Sequence, residues 1–300
     1  MAGGQERVLR RRIRTVQSTR KITKAMELIA ASQIVRAQNR MTANRPYRAG
    51  MARIVADAAR EDPRAAQKLL GTPEERARVA VLAIVADRGL SGPYNSSVLR
   101  ATERLVAELQ REGIGFRLFS VGKKAQSYFR FRGQPVERAF TQMSERPSFA
   151  DAREVAGVLA APFVAGEVDQ VLLVSTRYRS AGSQVVETRQ LLPIPDPAAE
   201  DGHHGAPAGG GYTEFEPDVE SLLAELGPKA VESEIFTALL EGAASFFTAQ
   251  QRAMAAATDN ADDLITTLSR IMNRARQDAI TTEIMEIVGG AEALRHSKGA

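Results

Sequence analysis

The sequence predicts an α/β protein. Its N- and C-terminal helices form a long antiparallel, left-handed coiled coil, and an open α/β domain lies between them. Three observations carry that expectation. All 13 prolines of the 300 residues lie between Pro46 and Pro228, so both ends lack the strongest helix breaker. Apolar residues recur at helical spacing at both ends. The middle instead alternates strand-length apolar runs with amphipathic stretches. The divisions are 1–60 for the first helix, 61–217 for the α/β domain with a Gly/Pro-rich loop at 193–217, and 218–300 for the last helix.

Gln5 to about Asp57 reads as helix. Leu9, Ile13 and Val16 follow 4–3 spacing, as do Ile22, Met26 and Ile29, and Ala37 and Met41 continue the apolar face more loosely. The step from Val16 to Ile22 breaks the heptad. Pro46 predicts a kink or short break. Charge is concentrated here: residues 1–50 hold 12 Lys and Arg against 2 Asp and Glu, a net of +10, although the whole chain carries only +4.

In the middle, Val79 to Val85 is a continuous apolar run, as expected of a strand buried on both faces. Asp87-Arg-Gly-Leu-Ser-Gly-Pro-Tyr-Asn95 breaks it with turn residues. Ser97–Arg111 reads as helix, Phe116–Val121 as strand, and Gly122 opens a short helix to about Phe129. Pro135–Phe140 is a third strand, and Ser148 caps a helix running to about Ala161. Val168–Thr176 and Gln184–Leu192 make an antiparallel pair joined through Ala181-Gly182. Strands alternating with helices predict a Rossmann-like open, mostly parallel sheet.

Pro193–Pro217 holds five prolines and five glycines and reads as a surface loop. Glu220 to Leu294 reads as the longest helix. Ala261, Leu264, Leu268, Ile271 and Ala275 set its seam, and Ile280, Ile284 and Ile287 resume it after a slip. A helix of this length needs a long partner, and the N-terminal segment supplies one; a seam near 3.5 residues per turn implies a left-handed supercoil. Small residues such as Ala243, Ala244, Ala249, Ala253, Ala255, Ala256, Ala257 and Ala261 make the seam thin. Each buried Leu or Ile contributes roughly 1.5–3 kcal/mol and Ala much less, so such a coil gains from being sheathed by partners.

The chemistry-bearing motifs are mostly negative. There is no cysteine, which removes disulfides, Cys-based zinc sites and thiol catalysis. Neither a Walker-type phosphate loop nor a G-x-G-x-x-G fingerprint occurs. Gly89-Leu-Ser-Gly92 mimics a nucleophile turn without being the G-x-S-x-G elbow, and none of the three histidines is placed as its base. His203–His204 lack a third metal ligand. No run approaches the ~20 apolar residues that span a bilayer, so direct membrane insertion is not expected. The Arg-rich start could be a transit peptide. It could also be the basic arm of a nucleic-acid-binding coiled coil, but basic and apolar residues share one helix here rather than following one another.

Three motifs coincide with one family. The run Arg12-Ile-Arg-Thr-Val-Gln-Ser-Thr-Arg-Lys-Ile-Thr-Lys-Ala-Met-Glu-Leu-Ile-Ala-Ala-Ser32 resembles the first helix of the gamma subunit of F-type ATP synthases. Asp87–Asn95 is similar to that family's D-x-G-L-C-G loop, with Ser91 in place of Cys. Asn273-Arg-Ala-Arg-Gln-Asp-Ala-Ile-Thr-Thr-Glu-Ile-Met-Glu-Ile-Val-Gly-Gly-Ala291 resembles its C-terminal signature, and Ala255–Ala261 matches as well. The resemblance covers the whole chain except the insertion-like 196–211 loop.

The resemblance implies a non-catalytic rotor subunit of the central stalk. It implies the alpha, beta and epsilon subunits and the ring of c subunits as partners, at the cytoplasmic face of the bacterial plasma membrane. Neither cofactor, metal nor nucleic acid is expected. It further implies that Arg252, Gln277 and Thr281 meet the catch loops of alpha and beta, with Arg276 beside them. Met26 corresponds to a position near the beta lever, and Lys21 and Lys24 face its acidic tip. Ile287–Leu294 would supply a shallow apolar bearing.

Overall fold

The computed structural model describes residues 2–62, 76–195 and 218–297. The loop at 196–211, with His203–His204, and the side chain of Leu294 lie outside the described residues. Two compact units are present: residues 30–250, and the helical pair made of 1–29 and 251–300.

In the first unit, a five-stranded sheet runs in the order β3-β2-β1-β4-β5. Its strands are β1 (Arg78–Ile84), β2 (Gly115–Val121), β3 (Arg138–Phe140), β4 (Gln170–Tyr178) and β5 (Gln184–Leu192). All neighbours are parallel except β4 and β5, the antiparallel pair expected from the sequence. The helices between strands are α2 (Tyr94–Arg111), α3 (Lys123–Phe131) and α4 (Phe149–Val164). The terminal helices are α1 (Ala2–Glu61) and α5 (Val219–Ser297).

The unbroken apolar run of β1 has a simple cause. Ala80, Leu82 and Ile84 face one core with α4 and the α5 residues Val231, Ile235, Ala238 and Leu239. Val79, Val81, Ala83 and Val85 face the other, with Val98, Leu99 and Leu109 of α2 and Ala125 and Phe129 of α3. A central parallel strand covered on both sides has no polar face to show. Ser148 caps α4 through a reciprocal capping box with Asp151. Gly122 links β2 to α3 at φ +98°, and a Cβ there would stand 2.4 Å from the Val85 carbonyl oxygen, so only glycine fits.

Two local expectations need correction. β3 is three residues long rather than six, pairing only with the end of β2. α1 continues through Pro46 without a break; Pro46 is exposed, so the carbonyl left without its helical partner is open to solvent.

In the second unit α1 and α5 pair antiparallel. Thr23 lies against Thr258, hydroxyl to hydroxyl at 2.8 Å, and Arg20 against Asp262 at 2.8 Å, so numbers rise on one helix as they fall on the other. The seam differs from the one read in sequence. Thr23 is buried, whereas Ile22 and Ile29 are 61% and 59% exposed. On α5 the heptad runs through Met254, Thr258, Ala261 and Leu268, with Leu264 and Ile271 on the outside. A seven-residue step from Val16 leads to Thr23, not Ile22, so the heptad is unbroken. It was hidden because a polar residue occupies the seam position and apolar ones stand beside it.

Candidate functional site: the outward face of the helical pair

Antiparallel register sorts the expected contact residues into two levels. Lys21, Lys24 and Met26 on α1 and Arg252 on α5 flank the Thr23–Thr258 pair. Met26 is half-buried, while Lys21 and Arg252 are exposed. Lys24 bonds both carboxylate oxygens of Glu27 at 3.1 Å, and Lys21 has no ion pair among the described residues. Arg276, Gln277 and Thr281 lie 24 or more residues further along α5, ~36 Å away at 1.5 Å per residue. The structure therefore does not bring Arg252 together with Gln277.

Arg276, Gln277 and Thr281 stand where α5 loses its partner. A small depression still joins Gln5 of α1 to Ile271, Arg274 and Asp278 of α5, but residues 281–291 are exposed all round. Thr281 donates its hydroxyl proton to the Gln277 carbonyl at 3.0 Å, so towards a partner this hydroxyl is an acceptor. Beyond it Ile284, Met285, Ile287 and Val288 are 53–72% exposed. On α1 the matching surface is Ile22, Leu28 and Ile29, at 59–61% exposure among cations. Reading the sequence assigned Ile22 and Ile29 to the interior and so missed them as surface residues. Counting sevens from Ile13 and Val16 would have found them.

Among the described residues of the α/β unit, the side chains that could suggest an active centre are tied into the fold. Ser91 is buried, and its hydroxyl accepts from the Asn95 side-chain amide at 3.5 Å, with no base beside it among the described residues. Asp87, at the end of β1, is a clamp. Burial pushes its carboxyl upward, but hydrogen bonds from the Ser144 hydroxyl and from the Gln142 and Lys123 amides outweigh this and hold it below the ordinary carboxylate value. The carboxyl end of β1, where an open sheet commonly takes a ligand, is occupied by α5. A Cβ on Gly242 would lie 3.2 Å from the Tyr94 hydroxyl and 3.6 Å from Ile84. Among the described residues no cluster of three or more acidic or histidine side chains could hold a metal, and no helix is long and apolar enough to cross a membrane.

An α/β unit plugged by a helix and a helical pair with apolar side chains turned outward define a class of protein: a subunit completed by other chains. Comparison with known proteins agrees. The ATP synthase family model matches residues 5–294. The ATP synthase gamma chain of Parafrankia is 49% identical over 97% of this chain and 98% of its own length, and that of Frankia casuarinae 48% over the same shares. The fold resembles a chain of the Euglena gracilis mitochondrial ATP synthase OSCP/F1/c-ring structure, with TM-score 0.64 and 19% identity over 99% of this chain and 97% of that one. A chain of the Tetrahymena thermophila central stalk and c-ring is similar at TM-score 0.59 and 24% identity, over 79% and 99%. This chain belongs to the ATP synthase gamma chain family. It is a non-catalytic subunit of an ATP synthase, a membrane-associated complex.

Proposed function

We propose that the helical pair is the rotor that transmits ring rotation to the catalytic beta subunits, turning inside a collar of alpha and beta subunits. The α/β unit sits with epsilon on the c ring, at the cytoplasmic face of the bacterial plasma membrane. The observation that carries this reading is the all-round exposure of residues 281–291, whose apolar side chains have no covering partner among the described residues. A rotor must exchange partners at each step. Shallow apolar contacts suit this better than deep pockets, which concentrate binding energy in a few residues. Lys21 and Lys24 face acidic lever tips of beta, a contact that steers more than it tightens. Arg252 acts at that same level. Arg276, Gln277 and Thr281 engage the catch loops at the second level, with Met26 against the lever.

Replacing Gln277 and Thr281 together by alanine is expected to lower ATP synthesis in inverted membrane vesicles several-fold while the complex still assembles at normal stoichiometry. Full coupling in the purified double variant would exclude the catch role. Replacing Ile22 and Ile29 by serine tests the lever level in the same vesicles. Localisation is read by fractionation: the chain is expected on membranes and is released without detergent.

A further inference from the structure

The sheet of residues 30–250 changes its direction of growth between β1 and β4, because β1 leads outward to β2 and β3 and the chain then returns to β4 on the other side. The crevice at such a switch point, beyond the carboxyl ends of the strands, is the common ligand position of open α/β sheets. Beside β1 it is filled by α5 at Gly242. Beside β4 it is open among the described residues. A cleft of about 450 Å³ remains there, walled by the end of β4, by α1 around Arg45 and by α5 around Glu241.

The cleft is strongly cationic. Arg45, Arg48, Arg177 and Arg179 line it against one carboxylate, Glu241. That carboxylate is turned to Arg189, whose Nη2 lies 3.4 Å away. Arg48 is committed to Glu234 by two bonds of 2.5 and 3.1 Å, and Arg177 leans on Glu187 at 3.4 Å. Arg45 and Arg179 have no ion pair among the described residues. The Tyr178 hydroxyl accepts from Gln38 Nε2 at 2.6 Å, which leaves its own proton to donate. Two uncommitted guanidinium groups and a hydroxyl donor thus meet at a strand's carboxyl end. Guanidinium forks match phosphate oxygens in geometry and charge.

We infer that this cleft binds a phosphate-type anion, with Arg45 and Arg179 as forked donors and the Tyr178 hydroxyl as a third. The chemistry is shared by free phosphate, pyrophosphate and the tail of a nucleotide. The test uses the assembled complex. Hydrogen exchange is followed in peptides covering 41–48, 176–180 and 237–241, with phosphate, pyrophosphate or ADP against sodium chloride at matched ionic strength. The expected result is saturable slowing in these peptides, with at least tenfold weaker apparent affinity in the Arg45→Ser/Arg179→Ser complex. Because the catalytic subunits also bind these anions, the difference between the two complexes is the reading. The anion that protects at lowest concentration identifies the source. Tyr178→Phe, which removes only the hydroxyl donor, is expected to weaken protection several-fold and serves where the double variant does not assemble. Slowing that chloride matches, or that the variants leave unchanged, overturns the inference. So does a cleft already protected before any anion is added, with Arg45 cross-linked to an acidic segment of a neighbouring subunit.

Discussion

Along residues 30–61 and 219–250 the terminal helices bury side chains completely: Ala30 and Ala58 on α1, and Ile235, Ala238 and Ala244 on α5, have no exposed surface. Along 1–29 and 251–291 the best-buried residues, Ile13, Thr23, Met254, Thr258, Ala261 and Leu268, keep 5–8%. In the first stretch a sheet and further helices supply a fixed surface on several sides. In the second, each helix has one narrow stripe to bury and leaves large apolar side chains outside. The same two helices are thus covered from within the chain in one region and leave apolar surface uncovered among the described residues in the other. Substitutions of fully buried residues in the first region should be read as stability, and substitutions on the outer face of the second as function.

The largest expected effect sharpens the first half of that contrast. Gly122→Ala places a Cβ 2.4 Å from the Val85 carbonyl oxygen, on a backbone at φ +98° that side chains avoid. Neither atom is the free end of a flexible side chain, so the β1–β2–α3 junction must move. A loss of about 3–5 kcal/mol or failure to fold is expected. Denaturant unfolding of the full chain and its recovery in the complex report it. A variant with wild-type midpoint would mean that this junction is not the rigid part of the unit.

Next in size is Asp87→Asn, expected to cost about 1–3 kcal/mol, because the amide replaces a charged acceptor and leaves buried donors poorly satisfied. The folded-state pKa of Asp87 is lowered, so its contribution is complete above the ordinary carboxylate pKa and is lost as pH falls through the folded value. The stability difference between wild type and variant should therefore be constant near neutrality and shrink below about pH 4. A difference that grows on acidification would exclude the clamp.

How much was legible in the sequence follows the same division. The strands β1, β4 and β5, the capped helix α4 and both terminal helices announced themselves because burial, turn chemistry and capping agree locally. β3 was overdrawn, since only Phe140 among its residues is fully buried and the rest of the run is loop. The surface of the helical pair was misread for a physical reason. Apolar residues occupy both the seam and the outer face of these helices, so hydropathy no longer marks the seam. Ile22 and Ile29 then look like core, and Thr23 looks like surface. The cationic cleft was not legible at all: its arginines stand at 45, 48, 177 and 179, and only the fold brings them together.

The smallest expected effect tests that misreading directly. The Thr23 and Thr258 hydroxyls lie within bonding distance of each other and of the Arg20 and Met254 carbonyls. Two protons cannot serve three bonds at once, so one hydroxyl donates to its own helix while the other donates across the seam. Valine has the same shape without the hydroxyl. Either single Val variant removes the cross-seam bond and leaves the remaining buried hydroxyl only the carbonyl of its own helix, its lone pairs unpaired, and should cost about 0.5–1.5 kcal/mol, whereas the double variant should be neutral or stabilising. A double-mutant cycle on the full chain measures the coupling, and a value near zero would place the threonines in solvent rather than in the seam. In coiled coils a buried polar layer holds register at some cost in stability. If that is its use here, the double variant will unfold later than wild type yet drive ATP synthesis less well, because a seam without its polar layer can slip under load. Equal coupling in both would make the pair a matter of packing alone.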